Sequence, residues 1–427
     1  MATATALLVT GTPAVVASAG PSTDAANRND RSRDVWAGTW AAAVTRGNSV
    51  GLTNNGLNNQ SVRMVVHTTV GGDRLRIRLS NIYGEQIVKL GRATVAKPNT
   101  STPDDLSDID TSTVRELTFG GTATVNMNRG GELLSDPIDL PVGEQQDLVV
   151  TLYFPTITGP VTFHGQSRQT TYIGATDLTG AADGAGFTVR PDCCWFFLSG
   201  VDVERRKSPG SVVVFGDSIG DGNKATVNAN KRWPDFLADR LIDTRAEVRT
   251  PGVLNASLAG NRLNHEGTEP GAGGFPGYYE LGPNALARLN EDVFAQTDVR
   301  TVVTHLGIND IWMSGDSAES IIASLRQINQ QVQQRGLTSL VGTLTPYEGH
   351  GAEGVWTPAK EATRQAVNAY LRSSTEFDGV IDFDKVLRDP AQPSRLLPAY
   401  DSGDHIHPND LGNQKMAEAV SLRLLGL

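Results

Sequence analysis

The hydrophobic period changes once along this chain, and that change constrains its architecture most. From Trp36 to Val203 the apolar residues come in short runs separated by turn-rich stretches, and no amphipathic helix stands out. Val62–His67 and Arg74–Leu79 flank a Gly71-Gly72-Asp73 turn, and the second run alternates apolar with polar residues. Such alternation buries one face of a strand and leaves the other wet. Further strands are expected at Glu116–Phe119, Gln146–Phe154, Val161–His164 and Phe196–Val203. Together they predict an all-β sandwich or jelly-roll over residues 35–205. After Arg205-Arg206-Lys207 strands and helices alternate. Strands are expected at Ser211–Phe215, Glu247–Leu254, Thr301–His305, Ser339–Leu344 and Gly379–Phe383. Helices are expected at Trp233–Asp243, Asn284–Phe294, Ala318–Arg335, Pro358–Ser373 and Asp410–Leu425. Five strands alternating with helices predict a parallel sheet covered on both faces, an α/β domain over residues 206–427.

The first of those parallel strands, Ser211-Val212-Val213-Val214-Phe215, runs into Gly216-Asp217-Ser218-Ile219. A β-branched run stopped by glycine reads as a buried strand ending in a tight turn. It leaves the Ser218 hydroxyl at the carboxyl end of a central strand, where open α/β sheets bind ligands. Asp217 reads as structural, ordering the turn. Three more blocks follow. Gly260 lies in Asn255-Ala256-Ser257-Leu258-Ala259-Gly260-Asn261, Asn309 in Gly307-Ile308-Asn309-Asp310, and His407 in Asp404-His405-Ile406-His407-Pro408. Taken singly, each has a plainer reading. Ser218 and Gly260 suit turns, Asn309 suits an Asx-turn or cap before a helix around Ile311, and His407-Pro408-Asn409 can introduce the last helix. His405 and His407 with Asp401 and Asp404 also read as a metal site, since His-x-His puts both rings on one face of a strand.

Ser, Gly, Asn and His in this order, across residues 208–427, resemble the SGNH hydrolases, the GDSL esterase/lipase family. Ile219 stands where the family name has leucine. The resemblance implies a three-layer α/β/α, flavodoxin-like hydrolase domain with a five-stranded parallel sheet. It also implies a nucleophile at Ser218, a base at His407 and a carboxylate partner at Asp404. The oxyanion hole falls on the backbone N–H groups of Ser218 and Gly260 and the side-chain amide of Asn309. A serine hydroxyl is a poor nucleophile until a base takes its proton, and a carboxylate on the other ring nitrogen fixes the tautomer of that base. Gly-x-Ser-x-Gly does not surround Ser218, so the α/β-hydrolase elbow fits poorly.

The expected function is a secreted serine esterase that cleaves carboxylic esters through an acyl-enzyme, with no cofactor or metal implied. Its substrate is a small-molecule, acylated-sugar or lipid ester. A carbohydrate O-acetyl esterase is the alternative, with the β domain gripping glycan through exposed aromatics such as Trp36, Trp40 or Trp195. A non-catalytic binding protein on a hydrolase fold is a third reading, disfavoured by the complete residue set. The formal net charge of −10, with no long basic run, speaks against nucleic acid and anionic membranes as partners. No apolar stretch is long and clean enough to span a bilayer. Ala6-Leu7-Leu8-Val9 through Val15-Val16 is apolar, and Ala17-Ser18-Ala19 is a small-x-small cleavage pattern, so residues 1–19 read as a signal peptide. Residues 20–34 read as a disordered linker. Cys193 and Cys194 are adjacent and make no disulfide framework; they are expected to pack near Trp195-Phe196-Phe197. The loop Gly271–Tyr279 is glycine-rich and aromatic-tipped, and either shapes the pocket or is a long surface loop.

Overall fold

The computed structural model describes Met1 and residues 34–103, 105–244, 250–269 and 277–425. The segments read as signal peptide and linker lie outside the described residues except at Met1 and Asp34, as do residues 271–276 of the glycine-rich loop and the first three residues, 247–249, of the strand expected at Glu247–Leu254.

The first half is built from antiparallel sheets. A six-stranded sheet is centred on Gln60–Thr68 and Gln146–Phe154, which pair along their whole length. A four-stranded sheet pairs Val35–Ala41, Leu198–Arg205, Arg74–Ser80 and Glu132–Leu134. One core unites the two. Val62, Met64, Val66, Leu148, Val150 and Leu152 from the larger sheet meet Leu75, Ile77, Leu79, Val201 and Val203 from the smaller. The two runs that flank Gly71-Gly72-Asp73 therefore do not pair with each other; the chain passes from one sheet to the other between them. The strand expected at Glu116–Phe119 is reduced to Arg115–Glu116, paired at the sheet edge with Arg92–Ala96. Cys193 and Cys194 are free thiols against this core.

The second half is a five-stranded, all-parallel sheet. The spatial order is Gly252–Asn255, Ser211–Gly216, Val299–His305, Thr338–Gly342 and Gly379–Ile381, which in chain order is 2-1-3-4-5, the flavodoxin-like arrangement. Two helical layers cover it. Trp233–Thr244 packs with Asp410–Ala419 in one, and Ala318–Gln333 packs with Pro358–Ser373 in the other. Capping fixes the starts of these helices: Ser317 accepts from the Ser320 N–H and Thr357 from the Lys360 N–H. Ile321, Leu325, Ile328 and Val332, at helical spacing, bury one face of Ala318–Gln333.

In this strand order the chain reverses direction across the sheet at Ser211–Gly216. Ligands bind in α/β sheets at such a reversal, outside the carboxyl ends of the strands. Ser218 follows the central strand, the Gly260 loop follows one neighbour and the Asn309 loop follows the other. Among the described residues no helix is long and apolar enough to cross a membrane.

Candidate active site

Ser218 opens a four-residue helix, Ser218–Asp221. Asp217 caps it, its carboxylate accepting the Ile219 N–H at 3.0 Å, and Gly222 ends it in the left-handed region. The helix begins so close to the loop after Asn255 that a Cβ on Gly220 would lie 2.3 Å from the Ser257 hydroxyl. This places the Ser218 hydroxyl at the sheet edge with its own N–H at a helix N-terminus.

His407 and Asp404 come from the loop ahead of Asp410–Ala419, which Asn409 caps by accepting the Gly412 N–H. His407 Nε2 lies 2.8 Å from Ser218 Oγ, and His407 Nδ1 lies 2.7 Å from Asp404 Oδ2. The other Asp404 oxygen accepts the N–H groups of His407 and Ile406 and the Ser402 hydroxyl. Burial works against its charge, but these bonds and the His407 ring hold its carboxyl well below the usual carboxylate range. Asp404 therefore has no proton to give. Nδ1 of His407 donates to it, which leaves Nε2 to accept from Ser218.

Gly260 has φ +73°, and a Cβ there would approach Leu281 Cδ2 to 2.4 Å, so only glycine fits without strain. Among the described residues neither its N–H nor that of Ser218 donates to a protein acceptor. Asn309 is held at both ends of its amide: Nδ2 donates to the Asn261 carbonyl at 3.0 Å, and Oδ1 accepts from Trp312 Nε1 at 2.8 Å. The second hydrogen on Nδ2 stays available, and Asn309 lines the same cavity as Ser218, Gly260 and His407.

All five residues expected at the site thus lie together, with Asp404 behind His407. His405 does not join them. Its ring turns to Asp401, Nδ1 to Oδ2 at 2.5 Å, so the two rings of His-x-His serve separate carboxylates. Among the described residues no group of three or more His, Cys, Asp or Glu side chains gathers as a metal site.

The cavity holds about 250 Å³. Leu258, Leu281, Trp312, Met313 and Ile406 give it apolar walls, with Glu280 and His350 among its polar ones. His164, Gly165 and Gln166 of the antiparallel half reach the same wall. These are residues that motif reasoning missed. His164 had one faint signal, as a polar residue at the end of an apolar strand. Glu280 and His350 sit in loops and had none. His350 Nδ1 donates to the Asp404 carbonyl at 2.9 Å, and its ring lies edge-on to Trp312 at 5.2 Å.

Arg288 was also missed. It is fully buried, and donates to the carbonyls of Gly216 and Ala256, to Asn261 Oδ1 and to Asp292. One guanidinium thus ties the loop carrying Ser218 to the loop carrying Gly260, with Phe215 under its face at 4.2 Å.

The class, an ester hydrolase, follows from the family match over the parallel-sheet half that carries this cavity. Residues 214–415 match the GDSL-like Lipase/Acylhydrolase family, which supports an SGNH-type hydrolase domain over that part of the chain. No curated protein matches the chain. Among solved structures it is similar to an acetylxylan esterase from Geobacillus stearothermophilus, at 20% identity and TM-score 0.36, over 52% of this chain and 96% of that one. A family two carbohydrate esterase from Clostridium thermocellum, solved with cellohexaose, matches at 11% identity and TM-score 0.35, over 88% and 96%. A GDSL-like lipase from Bacteroides thetaiotaomicron matches at 14% identity and TM-score 0.35, over 50% and 87%.

Proposed function

We propose that the chain is a serine esterase that hydrolyses carboxylic esters of small, uncharged alcohols and acids through an acyl-enzyme intermediate. The observation that carries this reading is the continuous hydrogen-bonded line from Ser218 Oγ through His407 to Asp404. Ser218 Oγ attacks the acyl carbon while His407 Nε2 takes its proton. The negative oxygen of the tetrahedral intermediate meets the N–H groups of Ser218 and Gly260 and the Asn309 amide. Collapse breaks the bond to the alkoxide, which receives the proton from His407 and leaves as alcohol. Water, deprotonated by the same ring, then attacks the acyl-serine and releases the carboxylic acid.

The cavity supports the substrate class. Its volume of about 250 Å³ suits a short acyl group. No Lys or Arg stands among its described lining residues, whereas Glu280 does, so neutral esters fit it better than phosphate-bearing or uronate ones. The aromatic platform expected of a glycan-gripping β domain lacks support. Trp40 and Trp195 are buried against each other, ring centroids 4.8 Å apart, and the Arg76 guanidinium covers Trp36. The test is kcat/KM across p-nitrophenyl esters of rising acyl length. Acetate and butyrate should exceed decanoate by at least about tenfold. A rising preference for long chains would contradict the proposed substrate class.

A further inference from the structure

The cavity wall contains a second buried histidine–aspartate couple that no step of the acyl transfer uses. His164 ends the strand Thr162–His164 of the antiparallel half, and Asp221 ends the helix that begins at Ser218. Their side chains are almost wholly buried, and His164 Nε2 lies 3.0 Å from Asp221 Oδ1. The other polar neighbours of the ring are the carbonyls of Ala43, 2.8 Å from Nδ1, and Gln166, 3.2 Å from Nε2. Every one of these partners is an acceptor once Asp221 is ionised. Both ring nitrogens must then carry hydrogen, which makes the ring an imidazolium. Burial opposes that charge, but the adjacent Asp221 carboxylate outweighs it and raises the pKa of the ring.

A buried ion pair is a weak source of stability, because its attraction is largely offset by lost hydration. The far oxygen of Asp221 gives this pair a function. Asp221 Oδ2 accepts the N–H of Ala259 at 3.1 Å, and the next residue is Gly260. The remaining contacts fix the aspartate from behind: Arg232 Nε donates to its carbonyl at 2.8 Å, and the same guanidinium also donates to the Ser167 carbonyl beside His164. The line from His164 through Asp221 to Ala259 thus runs from the antiparallel half, across the nucleophile helix, into the loop that presents Gly260.

We propose that His164 is a positioning residue: by holding Asp221 it sets the 258–260 loop, and with it the Gly260 N–H, for the oxyanion of the tetrahedral intermediate. The inference rests on the esterase reading above. An oxyanion donor matters far more to the charged intermediate than to the bound ester, so its displacement lowers kcat and leaves KM nearly unchanged.

The experiment measures kcat and KM on p-nitrophenyl acetate, per active site titrated with an organophosphonate, for the full chain and its variants. Titration counts competent chains, so partial unfolding changes the titre and not the rate per site. His164→Asn reproduces the bond to Ala43 but has no donor for Asp221; His164→Gln places an N–H where Nε2 was. His164→Asn should lose about 10- to 100-fold in kcat with KM within about twofold. His164→Gln should recover most of that loss, and adding Asp221→Asn to His164→Asn should cost little more. Unchanged kcat per site in His164→Asn, equal loss in the Asn and Gln variants, or a loss confined to KM would overturn the proposal. Should His164→Asn yield no titratable sites, the split is read on Asp221→Ala, which leaves the Ala259 N–H without its acceptor, and an unchanged kcat there overturns the proposal equally. Ser218→Ala is the control. Full turnover without the Ser218 hydroxyl tells against the Ser218 acyl-enzyme mechanism on which the inference rests, whatever His164 does.

Discussion

Ser218 is an ordinary alcohol until its proton has somewhere to go, and His407 is the acceptor in reach. The two histidines of His-x-His make the contrast sharp, since they are two residues apart and face different carboxylates. His407→Ala should lower kcat by about four orders of magnitude, and His405→Ala by no more than about threefold. Asp404→Asn should fall between them, because the amide keeps the geometry but disturbs the tautomer. EDTA should leave turnover unchanged; a loss restored by zinc or calcium would contradict this assignment. Asp217 poses a different question, that of pH. It is buried beside Ser218, and burial pushes its carboxyl up to about 7. An acid whose folded pKa lies above its unfolded value adds stability at low pH and loses that contribution as pH rises through the folded pKa. Asp217→Asn keeps an acceptor for the Ile219 N–H and has no charge to bury. Relative to the parent chain, the variant should gain on the order of 2–3 kcal/mol in urea unfolding between pH 4.5 and pH 8. A constant difference across that range would show that Asp217 titrates at its ordinary pKa.

Elements were legible in the sequence where period and cap agree. Gln146–Phe154 and Pro358–Ser373 begin and end where the pattern places them, and the five parallel strands occur in the expected sequence. The four motif residues were legible because each sits beside the end of a strand or the start of a helix, where local chemistry already marks a turn. Partnership between strands was not legible. Alternation in Arg74–Leu79 reveals which face is buried, yet it is silent on whether the strand pairs with Gln60–Thr68 or with Leu198–Arg205. Arg288 was hidden for a related reason. In sequence it is a cation in a short amphipathic helix, and its burial depends on carbonyls of Gly216 and Ala256 that only the folded sheet brings near. Removing that guanidinium leaves Asp292 buried without its partner and unties two active-site loops. Arg288→Met should therefore cost about 3–5 kcal/mol in chemical unfolding. It should also lower kcat in the chains that remain folded. A loss below about 1 kcal/mol would mean that the loops hold without it.

Across the whole molecule, residues Val35–Leu427 form one compact unit. The edge strand Gly252–Asn255 is covered by the antiparallel half: Gly38 packs on Leu254, and the Thr69 hydroxyl accepts the Val253 N–H at 3.1 Å. A covered edge does not invite pairing with another chain. The same contact brings His164 to the cavity, so the half that carries no motif still shapes the site. The serine-esterase reading requires one nucleophile per chain, at Ser218. The most direct measurement is intact-protein mass spectrometry after reaction with a fluorophosphonate, followed by peptide mapping. One adduct per chain is expected, on Ser218, and none in Ser218→Ala. An adduct on another residue, with Ser218→Ala still turning over ester, would contradict it.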